Sequence, residues 1–324
     1  MKKNQLLYAV LFFLATCLFA KEGVSFYADL NFGPSNTIIN EVLYNKEGKD
    51  RQVSSLLSWE SYCLPSFEAN LGLIFFQKYF LSFNGMYVIP GFSGKLEDFD
   101  WMNLFSTGDS KLTHYSKHEN FLDNKYEGSF FLGYCFNPRS RFKLTPFLSF
   151  KYSYLSFTSH NGYRQYGQNI GSQNGSAVYE SWTSSIEKKE LSGKIITLEE
   201  ENYFFGIGSQ ITFKISDRLN SILFLQILPS IQSHALDTHH RRNTKYTLFD
   251  SDGKLAFDSS FLLQYKLKDC HRFNLKAACC YSIADNINLY QSASKSNWMG
   301  VSNPGKLSSI DFSFAVGYAY YYEK

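Results

Sequence analysis

The chain has 324 residues and a formal net charge of +3 at neutral pH, a balance too close to zero to favour a nucleic-acid partner. It contains 31 Phe and 23 Tyr, yet its mean hydropathy is −0.25, which excludes a uniformly apolar membrane protein. Many aromatic rings in a chain that is polar on average predict strands with one apolar face, and therefore an all-β fold.

Residues 1–20 have the composition of a secretory signal peptide. Lys2 and Lys3 precede an apolar run over 6–19, and the small residue Ala20 closes the segment. The run is shorter than the ~20 residues that a membrane-spanning helix needs. An alternative is that residues 14–17 form a lipidation motif, with the lipid on Cys17. In either case we expect residues 21–324 to form one domain.

Strict alternation of aromatic and small or polar residues marks the rest of the chain. It is clearest over 312–322, where every second residue from Phe312 is aromatic or Val. This period of two is typical of strands with a lipid-facing side and a lumen-facing side. We predict a ten-stranded antiparallel transmembrane β-barrel with strands near 23–43, 52–76, 79–92, 119–136, 142–165, 191–215, 219–238, 254–267, 272–285 and 306–322.

The connections between these strands alternate in length. Short turns are predicted at 77–78, 137–140, 216–218 and 268–271, and long polar loops at 44–51, 93–118, 166–190, 239–253 and 286–305. Outer-membrane barrels place their long loops together on the extracellular side. Several predicted strands exceed the ~9–11 residues that cross a bilayer, so the barrel should extend beyond the outer membrane.

Five cysteines follow the predicted signal peptide. Their odd number argues against a disulfide framework, and their spacing does not match a zinc site. We therefore expect no metal and interpret most of them as small apolar residues of strands. They are Cys63, Cys135, Cys270, Cys279 and Cys280.

Two acidic motifs occur where predicted strands meet long loops. Asp98 and Asp100 follow the third strand, and Asp237 and His239 lie at the end of the seventh. Residues two apart in extended backbone share a face, so each pair should converge. Close carboxylates hinder each other's ionisation, and an Asp beside a His stabilises the charged imidazole. Water between the two pairs would meet a general base and a proton-sharing acid, a set suited to peptide hydrolysis without a metal.

The motifs, in their order, resemble those of the omptins, outer-membrane endopeptidases with a ten-stranded barrel. The segment 98–102 is similar to the family's D-x-D-W-M, and 237–239 to its D-x-H. The resemblance implies that Asp98, Asp100, Asp237 and His239 are catalytic. The segment 41–44 resembles the family's E-x-V-Y, which implies that Glu41 binds a basic substrate side chain. Further similar segments are 51–54 with Trp59, 156–158 and 203–206.

The sequence departs from the family at two acidic positions that help bind basic residues. Ala235 stands two residues before Asp237, and His114 occupies the acidic position in the second long loop. We therefore expect Glu41 alone to give a weaker or broader preference for Lys or Arg. His240 is interpreted as a solvated neighbour, although a shift of one residue would exchange it with His239.

The resemblance also implies partners. We expect extracellular peptides or proteins as substrates, outer-membrane lipid, a monomer, no cofactor, and an active site facing the exterior. A glycolipid such as lipopolysaccharide is implied as an activator, bound by basic residues of the outer wall. Candidate contributors are Lys143, Lys151, Lys194 and Lys214.

Two alternatives stay open. Ser116 and His118 share a predicted loop and suggest a serine nucleophile with its base, but the sequence gives no sign that they lie within hydrogen-bond reach or that oxyanion donors are nearby. The second alternative is a non-catalytic barrel that acts as an adhesin or porin, because one fold hosts many functions.

Overall fold

The computed structural model describes residues 24–46, 49–249, 253–292 and 299–323. The predicted signal peptide, with Cys17, lies outside these ranges. The fold is nearly all-β, with one short 3-10 turn, η1 (Met102–Leu104), and no helix of the described residues is long and apolar enough to cross a membrane. The strands are β1 (Val24–Tyr44), β2 (Val53–Phe75), β3 (Tyr79–Val88), β4 (Gly91–Asp100), β5 (His114–Tyr134), β6 (Phe142–Tyr166), β7 (Asn169–Gln173), β8 (Ser176–Tyr179), β9 (Lys189–Glu190), β10 (Lys194–Lys214), β11 (Leu219–His239), β12 (Thr244–Phe249), β13 (Leu255–Lys266), β14 (His271–Ser292) and β15 (Met299–Glu323).

Antiparallel pairing closes these strands into a ring. β1 pairs with β2 on one side and with β15 on the other, so the sheet has no open edge there. β3 and β4 occupy one position between β2 and β5, and β12 and β13 occupy one position between β11 and β14. The ring therefore has about ten positions, which confirms the predicted ten-stranded antiparallel barrel.

Several predicted boundaries were wrong at the end with the long loops. The third predicted strand does not end at residue 92, because β4 continues the same position in the ring as far as Asp100. The next strand, β5, begins at His114 and not at residue 119. The predicted loop 239–253 contains β12, 166–190 contains three short strands, and much of 286–305 belongs to β14 and β15. Strands outside lipid need no apolar outer face, so the alternation that marks a membrane strand is missing from their sequence.

A band of exposed apolar side chains surrounds the part of the barrel that is farther from the long loops. Phe314 is 60% exposed and Ile207 is 58% exposed. A soluble protein does not expose large apolar side chains in such a repeated pattern. Such a band is the surface that a barrel presents to lipid hydrocarbon. Other members are Leu30, Phe32, Phe67, Phe83, Phe130, Leu132, Leu148, Phe150, Phe205, Leu225, Ile227, Phe261, Leu275, Phe312 and Val316.

Ion pairs fill the lumen of the barrel. Lys151 Nζ lies 2.7 Å from Glu127 Oε2 and 3.4 Å from Asp258 Oδ2, and its side chain is only 6% exposed. Lys125 pairs with Asp311, Lys254 with Glu200, and Lys276 with Glu68. Lys151 therefore lies inside the barrel, and its assignment to a glycolipid site on the outer wall was wrong.

An apolar layer separates these ion pairs from the mouth of the barrel. Trp59 and Phe157 are fully buried, with ring centroids 6.0 Å apart and nearly parallel planes. Leu96 on β4 and Leu198 on β10 are equally buried and complete the layer, together with Ala235 of β11. This layer forms a rigid floor on which the polar residues of the strand ends are held.

Candidate active site

β4 delivers Asp98 and Asp100 to the inner face of the barrel. Leu96 of the buried layer is two residues before Asp98, so both aspartates continue the inward-facing alternation of the strand. Asp98 is paired with Leu57 of β2 and Ser116 of β5, and is only 8% exposed. The two aspartates therefore lie on a strand, and their expected convergence follows from its period of two.

The end of β11 delivers the second pair. His239 Nε2 lies 2.8 Å from Asp237 Oδ2, and Asp237 is buried. A four-residue turn follows, since His239 is already paired with Thr244 of β12. His240 is exposed and its Nε2 lies 2.8 Å from Thr197 Oγ1, so the structure selects His239 as the partner of Asp237.

The two pairs face each other across the mouth. Burial raises the pKa of Asp98 well above its usual range, and the nearby Asp100 and Asp237 carboxylates add to this, while His239 and Arg242 oppose it. Asp98 Oδ1 and Asp237 Oδ1 are both buried without a hydrogen-bond partner among the described residues. Buried carboxylate oxygens need such partners, so this is where a water molecule or a peptide group would bind.

The two sides of the site differ in the cause of their raised pKa values. Burial also raises the pKa of Asp100, although the Ser55 hydroxyl, Arg242 and His239 oppose the effect. Burial lowers the pKa of His239, but the charge of Asp237, its hydrogen bond and the charge of Asp98 outweigh burial and leave the pKa raised. One side can therefore hold a proton between carboxylates while the other holds a basic imidazole.

Glu41 lies on β1 beneath these groups and is 6% exposed. Its Oε1 accepts a hydrogen bond of 2.6 Å from the Trp59 indole N–H. Burial raises the pKa of Glu41 well above its usual range, and the charges of Asp237 and Asp98 raise it further, while the Trp59 hydrogen bond opposes them. Glu41 is thus close enough to the catalytic candidates to share their electrostatic environment.

Sequence reasoning missed several residues that shape the site. The sequence marks Trp59 only through a resemblance, and it predicts neither the hydrogen bond from Trp59 to Glu41 nor the position of the turn residue Arg242. Tyr166 of β6 and Tyr246 of β12 also border the site, and the Tyr246 ring centroid lies 5.2 Å from that of His239. No sequence signal identifies them, because their position depends on strand pairing.

Within the described ranges, no grouping of His, Cys, Asp and Glu could hold a metal ion.

Ser116 and His118 are closer than the sequence suggested. Ser116 Oγ lies 2.9 Å from His118 Nε2, and both are almost fully buried on β5. The prediction of a loop at these two positions was wrong, because β5 starts at His114 and places both residues on one face of a strand. His118 Nδ1 lies 2.6 Å from the Asn161 carbonyl oxygen, which fixes the ring.

The glycolipid candidates other than Lys151 also do not form one patch. Lys214 pairs with Asp217 in the short turn after β10, and Lys143 lies opposite Thr212 close to the same end of the barrel. Only Lys194 begins its strand at the end that carries the site.

The family model of the omptins matches residues 24–322. The chain belongs to the omptin family. This omptin is also similar in fold to the crystal structure of the outer membrane protease OmpT from Escherichia coli, with a TM-score of 0.75, 14% sequence identity, and coverage of 92% of this chain and 97% of that one. The family and the barrel together indicate an outer-membrane protein.

Other barrels match this omptin more weakly. The outer membrane protein OprG from Pseudomonas aeruginosa aligns with a TM-score of 0.34 and 11% identity, over 94% of this chain and 98% of that one. The transport unit of the autotransporter AIDA-I from Escherichia coli gives 0.36 and 12%, over 97% of each chain. No curated protein matches this omptin in sequence.

Proposed function

We propose that this omptin is an outer-membrane endopeptidase whose active site faces the exterior and hydrolyses peptide bonds of extracellular peptides or proteins. The observation that carries the proposal is the approach of the Asp98–Asp100 pair to the Asp237–His239 couple at the mouth of the barrel. Membership of the omptin family supports it.

The proposed mechanism uses His239 as the general base. Asp237 orients the imidazole, which takes a proton from a water molecule held between His239 and Asp98, and the oxygen of that water attacks the scissile carbonyl carbon. The proton shared by Asp98 and Asp100 stabilises the developing oxyanion through a hydrogen bond. The imidazolium then gives its proton to the leaving nitrogen as the C–N bond breaks, and the base is regenerated.

A preference for a basic residue beside the scissile bond is proposed to depend on Glu41. Ala235 is 2% exposed and apolar, and burial lowers the pKa of His114 to about 4, with contributions from Arg242 and Arg164. Neither residue adds negative charge at neutral pH, so Glu41 has no acidic helper and the preference should be weak or broad. Equal cleavage of peptides with and without a basic residue at the scissile bond would contradict it.

The proposal is tested with refolded protein and a fluorogenic peptide library. Asp100→Ala and His239→Ala should each lower kcat/KM by about 100-fold or more, because general acid–base catalysis contributes that much. His240→Ala is the matched control and should retain activity. Unchanged activity in both catalytic variants would exclude the aspartate and histidine mechanism. Glycolipid activation stays a prediction, and the same assay with and without lipopolysaccharide tests it.

A serine mechanism is the second candidate, and the hydrogen bond between Ser116 and His118 favours it. Burial of both residues and the fixed His118 ring argue against it, since a nucleophile must reach the substrate. Ser116→Ala should leave hydrolysis intact under our proposal. Loss of hydrolysis in Ser116→Ala with retention in His239→Ala would support the serine mechanism.

A non-catalytic porin or adhesin is the remaining alternative. One cavity among the lumen ion pairs has a volume of about 40 Å³, which is room for a few water molecules and too little for an open pore at that level. Steady single-channel conductance in a planar bilayer would support a porin, and a folded protein without hydrolysis of any library peptide would support an adhesin.

A further inference from the structure

A row of paired residues connects the candidate active site to two basic side chains of the barrel wall. Asp98 on β4 is opposite Ser116 on β5, and Ser116 is opposite Arg164 on β6. Arg164 is in turn opposite Lys189 on β9. Directly paired residues of antiparallel strands lie on the same face of the sheet. Arg164 and Lys189 therefore share the inner face with Asp98, and both are exposed.

The turn between β11 and β12 brings a third cation, Arg242, to this part of the wall. Two hydrogen bonds hold the turn against the segment that follows β9. The His240 backbone N–H donates to the Ile195 carbonyl oxygen at 2.9 Å, and Arg241 Nη2 donates to the Ser192 carbonyl oxygen at 3.0 Å. Arg242 lies in the same turn, and its side chain is exposed.

Arg242 is within electrostatic reach of the aspartates of the candidate active site. Partial burial lowers the pKa of Arg242, but Tyr166, Asp100 and Asp98 outweigh burial and leave that pKa raised. Arg164 Cζ lies 5.2 Å from the Tyr166 ring centroid, so Tyr166 adjoins both guanidinium groups. The cations therefore lie beside the place where a substrate would be cleaved.

No anionic side chain neutralises these cations in the described part of the chain. We call Arg164, Lys189 and Arg242 the basic rim. None of the ion pairs formed by the described residues includes any of the three. Arg164 and Lys189 are like charges directly opposite each other, an arrangement that destabilises a sheet. An anionic ligand bound between them would remove that repulsion.

We propose that the basic rim is a substrate subsite that binds an acidic side chain of the peptide. The inference rests on the proposed endopeptidase function and adds a second charged feature to its substrates. A guanidinium group binds a carboxylate through two parallel hydrogen bonds, and a cleft lined by one sign of charge attracts a ligand of the opposite sign. Because Arg242 is close to the aspartates, the acidic residue should lie within a few residues of the scissile bond.

The basic rim and Glu41 act on different residues of a substrate. Glu41 is buried on β1 and shares the electrostatic environment of Asp237 and Asp98. The basic rim is exposed and belongs to β6, β9 and the turn after β11. A bound peptide can therefore place a basic side chain at Glu41 and an acidic side chain at the basic rim.

The test uses refolded protein and peptides that carry one basic residue beside the scissile bond. Glu, or its uncharged isostere Gln, is placed at each position in turn, from the third before the bond to the third after it. At one position, or at two adjacent ones, kcat/KM for Glu should exceed that for Gln by about tenfold at low ionic strength. Salt at about 1 M should bring the ratio close to one, because it screens exposed charges.

Two results would overturn the proposal. A Glu to Gln ratio near one at every position would show that the basic rim binds no carboxylate. An equal advantage of Glu at every position would show a general attraction of negative charge, without a subsite.

Single variants locate the effect. Arg164→Gln, Lys189→Gln and Arg242→Gln should each lower the Glu to Gln ratio to about threefold or less, because each removes one of the cations. Lys188→Gln is the matched control for Lys189→Gln. The Lys188 ammonium lies 4.2 Å from the Tyr163 ring centroid, on the other face of the strand, and its loss should keep the wild-type ratio. A wild-type ratio in all three rim variants would overturn the assignment.

Thermal unfolding in detergent distinguishes a ligand site from a structural role. Lys189→Gln removes one of two opposed like charges, so its unfolding temperature should equal or exceed that of the wild-type protein. A clear decrease would show that Lys189 stabilises the fold through a partner of its own, and would contradict the unpaired state on which the proposal rests.

A binding measurement separates this inference from the proposed function. In calorimetric titration of the His239→Ala variant, the Glu peptide should bind about tenfold more tightly than the Gln peptide. Addition of Arg164→Gln should remove most of that difference. If the wild-type protein hydrolyses no peptide, the endopeptidase proposal fails, and the titration still reports the subsite. Equal affinities for the two peptides would overturn the subsite, whatever the activity.

Discussion

At the scale of single residues, the site consists of ionisable groups that control one another's protonation. His239 gains its raised pKa chiefly from Asp237, whereas Asp98 gains its raised pKa chiefly from burial. A carboxylate stabilises the charged form of His239, whereas burial stabilises the neutral form of Asp98. Substitution of a neighbouring residue should therefore change the two pKa values differently. The residues can therefore be tested separately through the pH dependence of hydrolysis.

Asp237→Asn should move the acidic limb of the pH profile to lower pH. The base must be neutral, so wild-type activity should rise through a pKa above the ordinary 6.5 of His239. Removal of the Asp237 charge lowers that pKa, and kcat should also fall about 100-fold or more because the imidazole is no longer oriented. The profile of kcat/KM against pH measures both effects. Glu187→Gln, an exposed carboxylate, is the control, and an unmoved limb would contradict the role of Asp237.

Glu41 should make the basic preference depend on pH. Its carboxyl is neutral until the pH passes its raised pKa, so the ratio of kcat/KM for Lys and Gln peptides should increase with pH. Trp59→Phe removes the hydrogen bond that lowers the pKa of Glu41, so the increase in the Lys to Gln ratio should begin at higher pH. Glu41→Gln should give a ratio near one throughout.

Trp182→Phe, a substitution of the same type away from Glu41, is the matched control for Trp59→Phe and should keep the wild-type profile. A constant ratio in the wild-type protein would show that Glu41 does not select basic residues.

At the scale of elements, the register of β4 decides whether the aspartates face inward. A register shift lies between Phe92 and Lys95 in the pairing with β5, and Gly94 lies within it with φ of 91°. A slip of one residue would turn Asp98 and Asp100 to the outer wall, because strand side chains alternate. The site thus depends on a bulge that lies some distance from its catalytic groups.

Gly94→Ala should destabilise the barrel and lower its activity. A Cβ atom there would lie 2.3 Å from the Glu60 carbonyl oxygen, and the left-handed backbone alone costs roughly 1–2 kcal/mol for a residue other than Gly. Gly108→Ala is a close control, since Gly108 also has positive φ but a Cβ atom there would meet nothing within 4 Å. The unfolding transition on heating in detergent measures both. Equal effects would show that the contact with Glu60 is unimportant.

At the scale of the whole molecule, the barrel combines an apolar outer band with a lumen filled by ion pairs. The side chains of Lys254 and Glu200 are 1% and 5% exposed, and Asn202 Nδ2 also donates to Glu200 at 2.7 Å. Charges so deeply buried are stable only while each has its partner. The interior is therefore a polar core that fixes the shape of the wall beneath the site.

Lys254→Met should lower the free energy of unfolding by about 3–5 kcal/mol, because it leaves Glu200 buried without a cation. The double variant with Glu200→Gln should recover much of the loss, since the unpaired charge is then gone. Lys214→Met breaks an exposed pair with Asp217 and should leave the free energy of unfolding nearly unchanged, because solvent screens exposed ion pairs. Denaturant unfolding in detergent measures all three. A double variant no more stable than Lys254→Met would contradict the pairing argument.

The sequence by itself determined the barrel and the two acidic motifs. Alternation with a period of two identifies which side chains share a face, and the motifs at 98–100 and 237–239 fall on such faces. The same alternation fails where strands leave the lipid, which is why it predicts loops in place of most of β4 and β12 and places Asp98 beyond a strand end.

Only the tertiary structure decided which faces meet. Period-two alternation does not state which strand lies beside which, or in what register. Strand order and register place Asp100 of β4 opposite His114 of β5, and His114 opposite Tyr166 of β6. They also place Lys151 in the lumen and bring the Trp59 indole to Glu41. The physical reason is that closure of a barrel fixes strand tilt and stagger together, a property of the whole ring that no local segment contains.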